Sequence, residues 1–280
     1  MLQEFVTTTL SLSPVAATGA GYHAHNGVPL DEQLDSFSDE AVQQRIGHYK
    51  SFEKRLEAKV RAGGLSAQDM ADYELMRDQC RLALFELEVQ QRYKHDPALY
   101  VEMVGNALFT PLVLEYAPLE KRYQHINMRL RQVARLLGEA RHNLADSPEV
   151  TLQVALQEND GNRDLIVNRL RQAAPPSERA PFERAASEAL SSIDSFNTFL
   201  TGELSQRKSG WRLGAANYAQ KFSATMSIGL SPGQVLAEAE TELERTRARM
   251  HDLARGMYPK LAPGRTPPAG DDALTREVLD

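Results

Sequence analysis

Apolar residues recur in this chain at alternating steps of four and three, over runs too long and too regular for strands. Leu119, Tyr123, Ile126, Leu130, Val133, Leu137, Ala140 and Leu144 form one set. Phe182, Ala186, Ala189, Ile193, Phe196 and Leu200 form a second. Leu236, Ala239, Leu243, Thr246, Met250, Leu253 and Met257 form a third. With a rise of about 1.5 Å per residue, each set runs as an apolar stripe along one side of a long helix. Such stripes are expected to bury themselves against one another. The fold expected is therefore all-α, a bundle of long antiparallel helices with no significant β-sheet.

The punctuation between the stripes agrees. Asp96-Pro97, Ser147-Pro148 and Ser231-Pro232 each put a side-chain acceptor before a proline, the pattern of a capped helix start. Ser231 with Gln234 completes a capping-box pattern. Stops are legible at Gly63-Gly64, Pro175-Pro176 and Gly229. The helices predicted lie near 2–12, 38–61, 66–93, 97–114, 118–144, 148–173, 178–206, 215–228 and 232–257. Residues 13–37 read as an irregular loop, and 258–272 as a Pro/Gly-rich linker. Residues 273–280 begin an amphipathic helix of about two turns, marginal alone, so the expectation is that this helix is truncated. The domain division expected is thus 1–257, 258–272 and 273–280.

Composition removes several function classes. A net charge of −6, with both signs interleaved, leaves no basic stripe for a phosphate backbone, so no nucleic-acid partner is expected. No apolar run approaches the roughly 20 residues that span a bilayer. The segment Met1-Leu-Gln-Glu-Phe-Val carries no basic region followed by an apolar one, so no signal peptide is visible. Cys80 is the single cysteine and reads as a small apolar filler on a helix.

Two motifs match catalytic or cofactor patterns and lack their context. Gly229-Leu-Ser-Pro-Gly233 fits the G-x-S-x-G elbow, but Pro232 has no N–H for an oxyanion, so Ser231 reads as a helix cap. Gly19-Ala-Gly-Tyr-His-Ala24 fits a loose dinucleotide fingerprint without the strand that should feed it. His23 and His25 read as a hydrogen-bonded loop pair, with substrate contact by His23 and its neighbour Tyr22 as the alternative. The run Gln157-Glu-Asn-Asp-Gly-Asn-Arg-Asp164 is either a solvated bend at Gly161 or a ligand face formed by Asn159 and Asn162. Asn106, among apolar neighbours, is either structural or ligand-facing. Trp211-Arg-Leu-Gly214 is either a capping loop or, through Arg212, a substrate anchor. The substrate-binding candidates are accordingly Tyr22, His23, Asn106, Asn159, Asn162 and Arg212, with no catalytic residue and no metal ligand among them.

Several stretches together carry a family likeness. Leu12-Ser-Pro-Val-Ala-Ala-Thr-Gly-Ala-Gly-Tyr-His23, Gly105-Asn-Ala-Leu-Phe-Thr-Pro111, Glu115-Tyr-Ala-Pro-Leu-Glu120, Trp211-Arg-Leu-Gly214 and the Ser-Pro-x-x-Val-Leu-Ala-x-Ala-Glu run at 231–240 resemble the bacterial family catalogued as domain of unknown function 885, in that order. The resemblance extends over essentially the whole chain. It implies a helical zinc metallopeptidase of the gluzincin type, with a His-Glu-x-x-His-like helix in its second half and a helical N-terminal half walling a deep cleft. None of the seven histidines here precedes a glutamate. The chain therefore reads as the non-catalytic N-terminal half, inactive as a peptidase alone, with zinc expected only in the C-terminal half. The partners implied are that C-terminal half and peptides, with self-association through uncovered apolar residues such as Leu274, Val278, Leu279 and those of 108–114. The family also implies an exported, periplasmic or cell-envelope location. The other expectation is a stand-alone helical binding or scaffold module.

Overall fold

The computed structural model describes residues 1–280 and is about three quarters helical. Strand is confined to a two-stranded antiparallel hairpin, β1 (Ala24–His25) with β2 (Val28–Pro29), in which Ala24 faces Pro29. No helix is long and apolar enough to cross a membrane. The chain forms two compact units, Met1–Gly214 and Ala215–Asp280. The division falls at Gly214 and not at the 258–272 stretch.

The first unit opens with α1 (Leu2–Ser11) and α2 (Pro14–Gly19), so the segment 13–37 holds a short helix and the hairpin before it becomes loop. Next come α3 (Asp39–Ala62) and α4 (Ala67–Leu84), which pack as an antiparallel pair. Ser38 and Ser66 cap their starts, and Gly63 at φ 74° ends α3 in a backbone region that suits glycine. Phe5, Phe52, Leu56, Met76 and Cys80 form a small core there, which places Cys80 as the packed residue its sequence setting suggested. A π-helical segment, Phe85–Gln90, continues α4 and leads into α5 (Arg92–His95).

The main core is built by α6 (Ala98–Val113), α7 (Leu119–Leu130), α8 (Val133–Asn143), α9 (Glu149–Asp164) and α11 (Arg179–Gly202). The short α10 (Arg171–Ala173) follows a second π-helical segment, Leu165–Leu170. Tyr123, Ile126, Ala140, Phe182, Ile193 and Phe196 are fully buried, so the first two stripes do bury against one another. The predicted single helix over 118–144 is broken at Arg131–Gln132, where the chain turns from α7 into α8.

The second unit contains α12 (Ala215–Met226), α13 (Pro232–Leu261) and α14 (Asp271–Leu279). Ser231 and Gln234 form the capping box that starts α13. Helix α13 runs four residues into the stretch read as linker. Ala254 and Tyr258 of α13 pack on Leu274 of α14, with Val278 alongside, so two of the residues expected to be uncovered are covered within the unit. The third stripe behaves differently from the first two. Leu236, Leu243, Met250, Leu253 and Met257 are 40–59% exposed.

Candidate functional site

The site grows from a defect in α6. Pro111 sits inside this helix and has no N–H, so the carbonyl of Ala107 loses its partner one turn later. Arg129 of α7 supplies the missing donor, with Nη1 3.0 Å from Ala107 O. Its guanidinium is fully buried and also donates to Gln33 O and to Thr18 Oγ1 at 2.5 Å. Arg122, two turns earlier on α7, donates to Pro111 O, Leu112 O and Ala117 O and closes the C-terminal end of α6. Burial draws Arg129 below its ordinary value, opposed by Tyr116, Asp31 and Asp35.

From Arg129 a chain of hydrogen bonds leads outward. Thr18 of α2 donates through Oγ1 to Asp31 Oδ1 at 2.7 Å. Asp31 is buried and accepts from His23 Nδ1 through both carboxylate oxygens, at 3.1 and 3.0 Å. The His23 side chain is 37% exposed and Asp31 only 5%. A carboxylate only accepts, so Nδ1 of His23 is the donor of this bond, and Nε2 is turned away from Asp31. His23 stacks on Tyr116 at a centroid distance of 4.6 Å, and Tyr116 stacks in turn on His125 at 5.9 Å. Tyr116 Oη hydrogen-bonds His125 Nδ1 at 3.0 Å. Burial, helped by Asp31, pushes the Tyr116 phenol up to about 12, so it stays protonated at neutral pH. Burial also holds His125 below its ordinary value, with Asp31 as the opposing influence.

The result is an imidazole clamped from two directions. Asp31 fixes its tautomer and Tyr116 fixes its ring plane, so Nε2 is held ready to accept a hydrogen bond or a proton. No three His, Cys, Asp or Glu side chains converge as ligands for a metal ion. A shallow cleft of about 390 Å³ lies along the hairpin, lined by His25, Asn26, Gln33, Asp35, Gln44 and Arg45. Within it Asp35 is raised by burial, against the pull of Arg45 and the Val15 N–H.

The residues singled out from sequence lie in several places. His23 is at the centre of the cluster. Its expected pairing with His25 is not what forms, because Tyr22 Oη hydrogen-bonds His25 Nδ1 at 2.8 Å while His23 turns to Asp31. Asn106 is exposed on α6. Asn159 and Asn162 are buried between helices, and α9 continues through Gly161. Asn162 Nδ2 donates to Val101 O, and Asn159 Nδ2 donates to Asn197 Oδ1. Arg212 lies exposed over the Trp211 ring, at one edge of a separate cleft of about 270 Å³. Asp31, Tyr116, His125 and Arg129 were not singled out. A signal for two of them existed, because Arg122, His125 and Arg129 repeat at three and four beside the apolar stripe of α7.

The family described as "Bacterial protein of unknown function (DUF885)" matches residues 14–273. Comparison with curated proteins finds no match. Among solved structures, a protein from Shewanella oneidensis described as a candidate lipoprotein of unknown function superposes with a TM-score of 0.82 at 18% identity. The superposition covers 99% of this chain and 51% of that one, so the chain spans about half the length of that protein. At this identity the likeness shows a shared fold.

Proposed function

Because the chain belongs to the bacterial family DUF885, we propose that it forms one wall of the substrate cleft of a metallopeptidase-like hydrolase, with metal-binding residues contributed from outside it. The observation that carries this reading is the clamped His23. An imidazole whose Nδ1 is held by a buried carboxylate, and whose other nitrogen is left as an acceptor, is arranged for a ligand rather than for packing. The role assigned to His23 is to accept a hydrogen bond from a peptide group or to take up a proton at Nε2. Asp31, Thr18 and Arg129 are positioning residues that keep that nitrogen in place. The side chains of this chain do not themselves form a metal site.

The test uses a form of the protein that includes the metal-binding half. Replacing His23→Ala should lower kcat/KM for peptide hydrolysis by about 100-fold or more, in the range of positioned acid–base groups, with bound metal unchanged. Asp31→Asn should fall between wild type and His23→Ala. Hydrolysis indifferent to His23→Ala would remove the role given to His23, and no metal-dependent hydrolysis at all would favour a binding module without catalysis.

A further inference from the structure

The third apolar stripe is left bare by its own unit. From Leu236 to Met250 every residue of α13 is exposed, so this part of the helix meets solvent on all sides. Leu236, Leu243, Met250, Leu253 and Met257 nevertheless keep the a/d spacing of a coiled-coil seam. The C-terminal part of α13 does have a neighbour, on another side. Ala254 and Tyr258 pack on α14, and Arg255 and His251 pair with Asp271 and Asp272, which leaves the seam open.

The charges flanking the seam are segregated along the helix. Glu238, Glu240, Glu242 and Glu244 occupy its first half, and Arg245, Arg247 and Arg249 follow at once. A helix of this kind complements itself only when turned end for end. We propose that the α13 seam docks antiparallel on the same helix of a second copy of this chain. The register that fits sets Leu236 opposite Leu253 of the second copy, and Leu243 opposite its Thr246. In that register the positions beside the seam bring Glu240 against Arg247 and Glu242 against Arg249, and the two-fold axis makes each pair occur twice. Sliding by one heptad toward the C-terminus would set Arg247 and Arg249 against their own copies. A parallel pair would lay the two acidic halves side by side. This surface is independent of the His23 cluster and of the catalytic reading.

Light scattering and sedimentation across a concentration series should show a dimer for the wild-type chain. Glu240→Arg with Glu242→Arg should weaken it by about tenfold or more, as should Arg247→Glu with Arg249→Glu, and mixing the two variants should restore a heterodimer. All four positions are exposed, so each variant should keep its helix content, which circular dichroism checks. In a Cys80→Ser background, Leu236→Cys chains mixed with Leu253→Cys chains should cross-link on oxidation, while Leu236→Cys alone should not. A chain that stays monomeric, or one that binds only the other half of the family fold, overturns the proposal. So does a dimer insensitive to the charge changes, or self-cross-linking of Leu236→Cys.

Discussion

At the scale of single residues, one missing N–H organises the site. Pro111 frees the Ala107 carbonyl, and Arg129 answers it from the neighbouring helix while reaching Thr18 and Gln33. A buried guanidinium with several acceptors cannot be removed without stranding them. Arg129→Met should therefore cost about 3–5 kcal/mol of the first unit's stability, read from urea unfolding, and a cost below 1 kcal/mol would contradict this role. His125 makes a prediction about pH. Its folded value lies below the ordinary one, so the neutral ring's contribution is present above about 6.5 and is lost as pH falls through the folded value. Asp35 acts in the opposite sense, because its raised value favours the folded state at low pH and that contribution is lost as pH rises. The informative quantity is thus a difference. His125→Gln should flatten the loss of stability below pH 6.5 relative to wild type, and identical pH profiles would refute the assignment.

At the scale of helices, close approach is set by one glycine and one amide. A Cβ on Gly105 would stand 2.7 Å from Asn162 Oδ1, whose amide nitrogen holds Val101 O on the same helix as Gly105. Gly105→Ala should cost about 1–3 kcal/mol, as overpacking does, and in the double variant with Asn162→Ala the two costs should fall short of additive. Strict additivity would show that the pair does not meet. Sequence made the helices legible and their interruptions much less so. The starts at Ser38, Ser66 and Ser231 rest on local side-chain caps, which a local pattern can reveal. The break at Arg131–Gln132 keeps the four-three spacing on both sides, so periodicity passes over it. Asn159 and Asn162 looked solvated because polar residues cluster there, yet their partners lie on α11 and α6, far away in sequence.

For the molecule as a whole, the same limit explains what the sequence hid of the site. His23 was visible as a loop histidine, but its meaning depends on Asp31 and Tyr116, which only the folded chain brings to it. The α13 stripe was visible too, but its period does not say that its own unit leaves it exposed. The helical fold is shared with a solved protein about twice as long, and the family is shown by the match over residues 14–273. The central claim is that His23 faces a ligand. Nitrogen-detected NMR of the imidazole rings, followed while short peptides are titrated into the chain, tests it directly. The His23 ring should carry its proton on Nδ1, and its Nε2 resonance should shift saturably with peptide. That shift should be lost in Asp31→Asn. A His23 ring protonated on Nε2 alone, or one that no peptide moves, would contradict the claim.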